Sequence, residues 1–274
     1  MEKLVETMQK AATLVSDKEL AKNAQELVEL MTFQAEGIEG ATAFSPSWVR
    51  LVQSITDTGT YPDAGKLGDF VLGNGKDAVL FKKPLEVIPL ALYPSRTFWD
   101  PVDKGSQKSL CSSPDGVMGR FGMCKSCEHS KFVEGKGSDC TQAQNVLWVT
   151  ADLKHIFFQG YSKTSYNTGK TFSREFAKKG RQPYKTICSL DSMKSDKYKM
   201  VYLPVVSMKS IVKDETITDF TYSIFQYFKA SREAYIEAFR GGLPKLMLEQ
   251  KDETSEHIAS IEATTSTNAP VYNI

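Results

Sequence analysis

The chain has 274 residues, of which 41% are hydrophobic, and 34 Lys+Arg balance 33 Asp+Glu to leave a net charge of +1. That length supports a core without covalent staples, which excludes a small disulfide scaffold, and no apolar run approaches the roughly eighteen residues of a membrane span. The opening Met1-Glu2-Lys3-Leu4 lacks the apolar stretch of a secretory leader, so a cytoplasmic protein is expected.

In chain order, Leu4, Met8, Ala11 and Val15 recur at helical spacing. Ser16-Asp17-Lys18-Glu19 then matches a capping box ahead of Leu20, Ala24, Leu27, Val28 and Met31. This pattern predicts a helical hairpin ended by Gly37 and Gly40, suited to packing or partner contact. Pro46 sits where it would start a short helix over 48–54.

From Gly68 the period becomes that of strands, at 68–72, 78–81 and 85–93, with Asn74-Gly75 as a hairpin signal. Further strands are predicted at 145–150, 155–161, 185–190 and 197–206, and a helix at 171–179. An amphipathic helix follows over 219–240, carrying Phe220, Ile224, Tyr227, Phe228, Tyr235 and Phe239 and stopped by Gly241-Gly242. Residues 249–274 are rich in Ser, Thr and acid and read as a disordered, mildly acidic tail. The predicted organisation is a helical region over 1–60, a core over 61–212 interrupted by an insertion at 111–140, a helix within 213–248 and the tail.

Four of the five cysteines fall in that insertion, at Cys111, Cys124, Cys127 and Cys140, spaced C-x12-C-x2-C-x12-C. Two residues between cysteines let one tight turn deliver two ligands to one ion, and two outer cysteines can close a tetrahedral shell, so the spacing predicts a structural zinc site. A redox pair or unrelated buried thiols are the competing readings; an odd cysteine total without a leader argues against disulfides. His129 and His155 are spare ligand candidates. Cys188 lies in a strand-like run and is expected in the core.

Enzymatic signatures are sparse. The Gly-Lys pairs Gly65-Lys66 and Gly169-Lys170 miss the phosphate-loop spacing, and no HExxH, GxSxG or DxD cluster occurs. A non-enzyme is expected. Charge is distributed unevenly instead: residues 154–212 hold 12 Lys+Arg against 3 Asp+Glu, while both flanking segments are acidic. Such asymmetry suggests a polyanionic partner. In the basic block, Lys163, Lys170, Arg174, Lys178, Lys179, Arg181 and Lys185 are interleaved with Phe157, Tyr161, Tyr166, Tyr184, Tyr198 and Tyr202, and Trp148 lies just upstream. Cations that follow phosphates and rings that stack on unpaired bases are what single-stranded nucleic acid requires. The bland reading is that some of these rings form sheet core and the lysines a solvated face.

The four cysteines, Ser112-Ser113-Pro114-Asp115-Gly116 beside the first of them, Gly160-Tyr161-Ser162 with the basic stretch after it, and the terminal tail together resemble the single-stranded DNA-binding (helix-destabilising) proteins of tailed phages over residues 68–206. The resemblance implies an α+β chain built on an OB-fold-like five-stranded β-barrel, with an inserted zinc element and flanking N- and C-terminal helices. It also implies coating of single-stranded DNA without strong sequence preference in replication, recombination or repair, inside the host cytoplasm, with replication or recombination proteins meeting the tail. Alternatives are a zinc-bearing adaptor or transcription factor that binds a polymerase or replication protein, and a metal-dependent nuclease.

Overall fold

Asn145–Thr150 and Ile156–Phe158 read as almost unbroken apolar runs, the pattern of strands covered on both faces. The computed structural model describes residues 1–32, 46–54, 65–73, 75–100, 109–134, 137–198 and 201–242. Among these the chain is α+β, with helices α1 (Glu2–Thr13), α2 (Lys18–Thr32), α3 (Tyr166–Lys179) and α4 (Glu215–Gly241). The strands are β1 (Val49–Leu51), β2 (Phe70–Leu72), β3 (Val79–Phe81), β4 (Leu85–Trp99), β5 (Ser109–Ser113), β6 (Met118–Gly119), β7 (Gly122–Met123), β8 (Cys140–Thr150), β9 (Ile156–Ser162), β10 (Thr186–Lys194) and β11 (Tyr202–Ile211). Two units result, Met1–Pro94 with Gln142–Ala234 and Ser95–Thr141 with Tyr235–Ile274. The predicted tail over 249–274 lies outside the described residues.

The main sheet runs β11-β10-β4-β8-β9, with β5 also paired to β4, and a small sheet runs β1-β2-β3. No sheet among the described residues closes into a barrel, so the expected five-stranded barrel is replaced by an open six-stranded sheet. In the first unit other contacts reach its two edge strands. Segment 47–53 touches both: Trp48 makes a single parallel bridge to Phe158 on β9, and the Gln53 carboxamide exchanges two hydrogen bonds with the Tyr202 backbone on β11, at 2.8 and 2.7 Å. Helix α3 also packs on both β9 and β11.

That segment corrects the predicted helix over 48–54. Val49, Arg50 and Leu51 pair antiparallel with Leu72, Val71 and Phe70, and a strand that buries Val49 while exposing Arg50 outweighs the local signal from Pro46. The helical hairpin forms as expected, with a different cap. Asp17 Oδ1 accepts the N–H groups of Glu19 and Leu20 at 2.9 and 3.0 Å. Ser16, predicted as the cap, instead donates its hydroxyl to Asp214 and its N–H to Thr216, fastening the hairpin turn to the start of α4.

Side-chain alternation divides the core of this unit. Ile88 and Leu90 on β4, Leu147 and Val149 on β8, and Ile156 and Phe158 on β9 face α1, α2 and α4. Val87, Val146, Trp148, Phe157 and Tyr161 face the opposite way, against Phe172 and Phe176 of α3 and Phe70 and Phe81 of the small sheet. Within this second face Gln159 Oε1 accepts both Trp148 Nε1–H at 3.2 Å and the Tyr161 hydroxyl at 2.9 Å, so two buried donors share one acceptor.

Helix α3 reaches β9 through a glycine. A Cβ on Gly169 would lie 2.6 Å from Tyr161 Cβ and 3.0 Å from Gln144 Cβ, both near the backbone and unable to swing aside. Gly169→Ala is therefore expected to destabilise the fold by roughly 1–3 kcal/mol through overpacking, although alanine is the better helix former. Urea unfolding checks it; a stabilised variant would mean that the helix moves away without cost.

Candidate functional site

The cysteine unit is built on a ribbon. Strand β4 continues past Pro94, and its residues Arg96, Thr97 and Phe98 pair with Ser113, Ser112 and Cys111 of β5. Alternation then puts Arg96, Phe98, Cys111 and Ser113 on one face. After β7 the chain turns, with the N–H groups of Ser126 and Cys127 donating to Met123 O at 3.2 and 3.0 Å. The Ser130 hydroxyl closes this knuckle by donating to the carbonyls of Cys124 and Cys127. Cys140 is the first residue of β8.

These pieces bring all four predicted ligands to one place. Cys111, Cys124, Cys127 and Cys140 line a single small void of about 10 Å³, together with Arg96, Phe98, Ser113, Phe121 and His129. That volume suits an occupant of about one atom. All five cysteines are free thiols, so no disulfide competes for them. Burial first, and then the neighbouring Cys124, Cys111 and Cys127, push the Cys140 thiol up to about 11, while Arg96 pulls it down. Burial likewise raises Cys124, against a hydrogen bond from Ser113 and the charge of Arg96. Gly119 keeps the approach to Cys111 open, since a Cβ there would lie 2.7 Å from Cys111 Sγ. Among the described residues no three His, Cys, Asp or Glu side chains yet stand in a geometry that would hold an ion. Shared cavity, thiol chemistry and the glycine gap fit a thiophilic metal.

Of the spare candidates, His129 borders this void, stacked on Phe98 with centroids 4.3 Å apart and with Nδ1 3.6 Å from Asp139. His155 does not. It is half-buried in the other unit, edge-on to Phe81, where burial lowers its pKa. Cys188 is wholly buried in the sheet core, as expected.

Asp115 holds the β5–β6 turn. Burial works to raise its pKa, but hydrogen bonds from Val117 N–H, Arg240, Met118 N–H and the Ser113 hydroxyl outweigh it and hold the carboxyl below its ordinary value. A depressed carboxylate contributes stability above its unfolded pKa of about 4 that disappears as pH falls through the lower folded value. Acid unfolding of the cysteine unit, followed at amides 111–124 by hydrogen exchange, is thus expected below about pH 4 in the native chain. In Asp115→Asn that pH dependence should be weaker and the unit less stable at neutral pH.

The predicted nucleic-acid contacts are scattered, and part of that prediction is corrected. Trp148, Phe157 and Tyr161 are each 0% exposed, so none can stack on a base. The small sheet and α3 cover the face that these rings occupy. Tyr184 packs on the opposite side of the sheet from these rings, stacked on Phe225 at 5.5 Å and beside Tyr222. Tyr198 is exposed under Lys197, and Tyr202 is half-buried under Lys83, with amine-to-centroid distances of 5.4 and 5.2 Å.

The cations are better gathered. Gly169, Phe172 and Phe176 take the buried face of α3, which leaves Tyr166, Lys170, Arg174 and Lys178, spaced four apart, in one stripe on the outer face. Lys170 lies over the half-buried Tyr166 ring at 6.0 Å. Lys163 precedes the helix and Arg181 follows Gly180, whose left-handed φ of 58° ends it; both are exposed, as is Lys185. The only acid on α3, Glu175, is paired to Lys179 at 3.3 Å. Residues that sequence reasoning missed are Arg96 and Gly119. An alternating Arg96-x-Phe98 continuation of β4 is the signal that could have revealed the first.

Compared with known proteins, the chain matches no family model, no curated protein and no solved structure. No described helix is long and apolar enough to cross a membrane.

Proposed function

We propose that the protein binds single-stranded nucleic acid, with DNA as its main partner, without strong sequence preference and without chemical turnover, and that its four clustered cysteines hold a structural zinc ion. The observation that carries the first part is the outer face of α3, where Lys170, Arg174 and Lys178 form a cationic stripe beside Tyr166 with no carboxylate on the same stripe. Cations repeated about 6 Å apart along a helix neutralise successive phosphates, and a flanking ring adds base stacking that is indifferent to sequence. A bound zinc ion would tie β5, the Cys124–Cys127 knuckle and the start of β8 to one point, with the thiol side chains rotating inward to meet it. Replication or recombination proteins are the expected protein partners, and the OB-fold resemblance would then concern the strand–helix–strand core rather than a closed barrel.

Titration with dT oligomers of increasing length, in parallel with a duplex of the same length and at rising salt, tests the binding. Preference for dT with steep salt dependence is expected; equal or absent binding to both would refute it. A second reading, an adaptor that meets a protein rather than nucleic acid, is favoured by exposed apolar side chains on the cysteine unit, where Phe132 is 79% and Phe121 44% exposed. No dT affinity combined with intact zinc would select that reading. Incubating labelled DNA with magnesium or manganese would expose a nuclease.

A further inference from the structure

The cysteine void has a permanent cation in its wall. Arg96 stands opposite Ser113 on the β4–β5 ribbon and two positions from Phe98, which faces Cys111, so the guanidinium and the first thiol rise from the same side of the ribbon. Its Nη1 is buried and has no hydrogen-bond partner among the described residues, and none of the ion pairs formed by those residues includes it. Arg96 as a whole is half-buried, but a buried guanidinium N–H left without an acceptor is costly, and native proteins leave few such donors unsatisfied. The void it borders is lined by four thiols, Cys111, Cys124, Cys127 and Cys140.

Four thiolates around a divalent ion carry a net charge of −2. In a small, partly dry cavity that excess needs compensation, and a guanidinium supplies both charge and a directed N–H donor. We infer that Arg96 is the charge-compensating partner of the metal centre, donating Nη1–H to a thiolate sulfur of Cys124 or Cys140 and lowering the net charge of the site to −1. This rests on the zinc reading given above and adds a residue to it. Arg96 is a positioning residue: it touches ligand sulfur rather than the ion. Donation to sulfur makes the thiolate less basic, so the donor protects the centre from protonation and from competing chelators.

Cobalt(II) loaded into the full chain tests this, because its visible spectrum reports ligand number and its sulfur-to-metal charge-transfer band reports electron density on sulfur. The native chain should show a four-thiolate spectrum. Arg96→Gln should keep that ligand count, shift the charge-transfer band to lower energy and release metal to a chelator roughly 10–100-fold more readily, the range seen when partners of metal ligands are removed. Arg96→Lys, which keeps the charge but not the fork and perturbs folding least, should fall between the two. Identical bands and release in all three chains would overturn the inference while leaving the metal site standing. A native chain that takes up no cobalt would overturn both.

Discussion

Replacing Cys124 with serine is expected to abolish stoichiometric zinc binding and to unfold the cysteine unit locally while the sheet core survives. The void it borders is otherwise lined by Arg96, Phe98, Ser113, Phe121, Gly122, Ser130, three more thiols and His129, and that imidazole, the one spare ligand candidate there, is held stacked on Phe98. Structural zinc supplies on the order of 10 kcal/mol of apparent binding free energy to small metal-organised units, and this one has little else. Its regular structure is short pieces, the β4–β5 ribbon end, the two-residue strands β6 and β7, the 3-10 turn Glu128–Ser130 and the last turns of α4, and Phe121, Phe132 and Val133 stay exposed. Cys188→Ser is the contrasting case. Its thiol is wholly buried among Val87, Trp148 and Leu190, so a hydroxyl there should cost roughly 1–3 kcal/mol of global stability and leave the metal in place. Zinc content by atomic absorption, with hydrogen exchange at residues 109–141, separates the two. Should Cys124→Ser bind zinc as the native chain does, or should a chelator leave native exchange unchanged, the metal assignment fails.

The sheet core was legible in the sequence because its strands are apolar at successive positions and its turns carry Gly, Asp and Pro. The same feature misled the reading of the site. Trp148, Phe157 and Tyr161 looked like rings placed among cations, yet a strand that is apolar at both Phe157 and Phe158 is signalling two covered faces, and α3 with the small sheet supplies the second cover. The stripe on α3 was legible residue by residue. Its alignment was not, because that depends on Gly169 setting which side of the helix lies against Tyr161. Cysteine spacing predicted that four thiols meet, and they do share one void, but spacing says nothing of the charge such a cluster needs. Arg96 escaped notice because it lies fifteen residues before Cys111, on a strand whose continuation past Pro94 depends on pairing with β5 rather than on its own composition.

Removing the stripe, by Lys170→Ala, Arg174→Ala and Lys178→Ala together, is expected to weaken oligo-dT binding about 100-fold near 0.1 M salt and to lower the salt slope by about 2, since each phosphate neutralised on a single strand contributes about 0.7 to that slope. Stability should change little, because all three side chains are exposed and none forms an ion pair among the described residues. A control chain with Lys3→Ala, Lys22→Ala and Lys229→Ala loses the same charge from α1, α2 and α4, where Lys22 and Lys229 already have the partners Glu26 and Glu233 at 3.7 and 3.9 Å. If both triple variants lose affinity alike, net charge rather than the geometry of α3 governs binding. Adding Tyr166→Ala to the α3 triple should remove a further 1–3 kcal/mol if the ring stacks on a base, and this loss, unlike the others, should persist at high salt. Trp148→Phe should leave affinity untouched, because a ring sealed between α3 and the sheet has no face to offer a base, so any effect on binding would mean that the core opens when nucleic acid is bound.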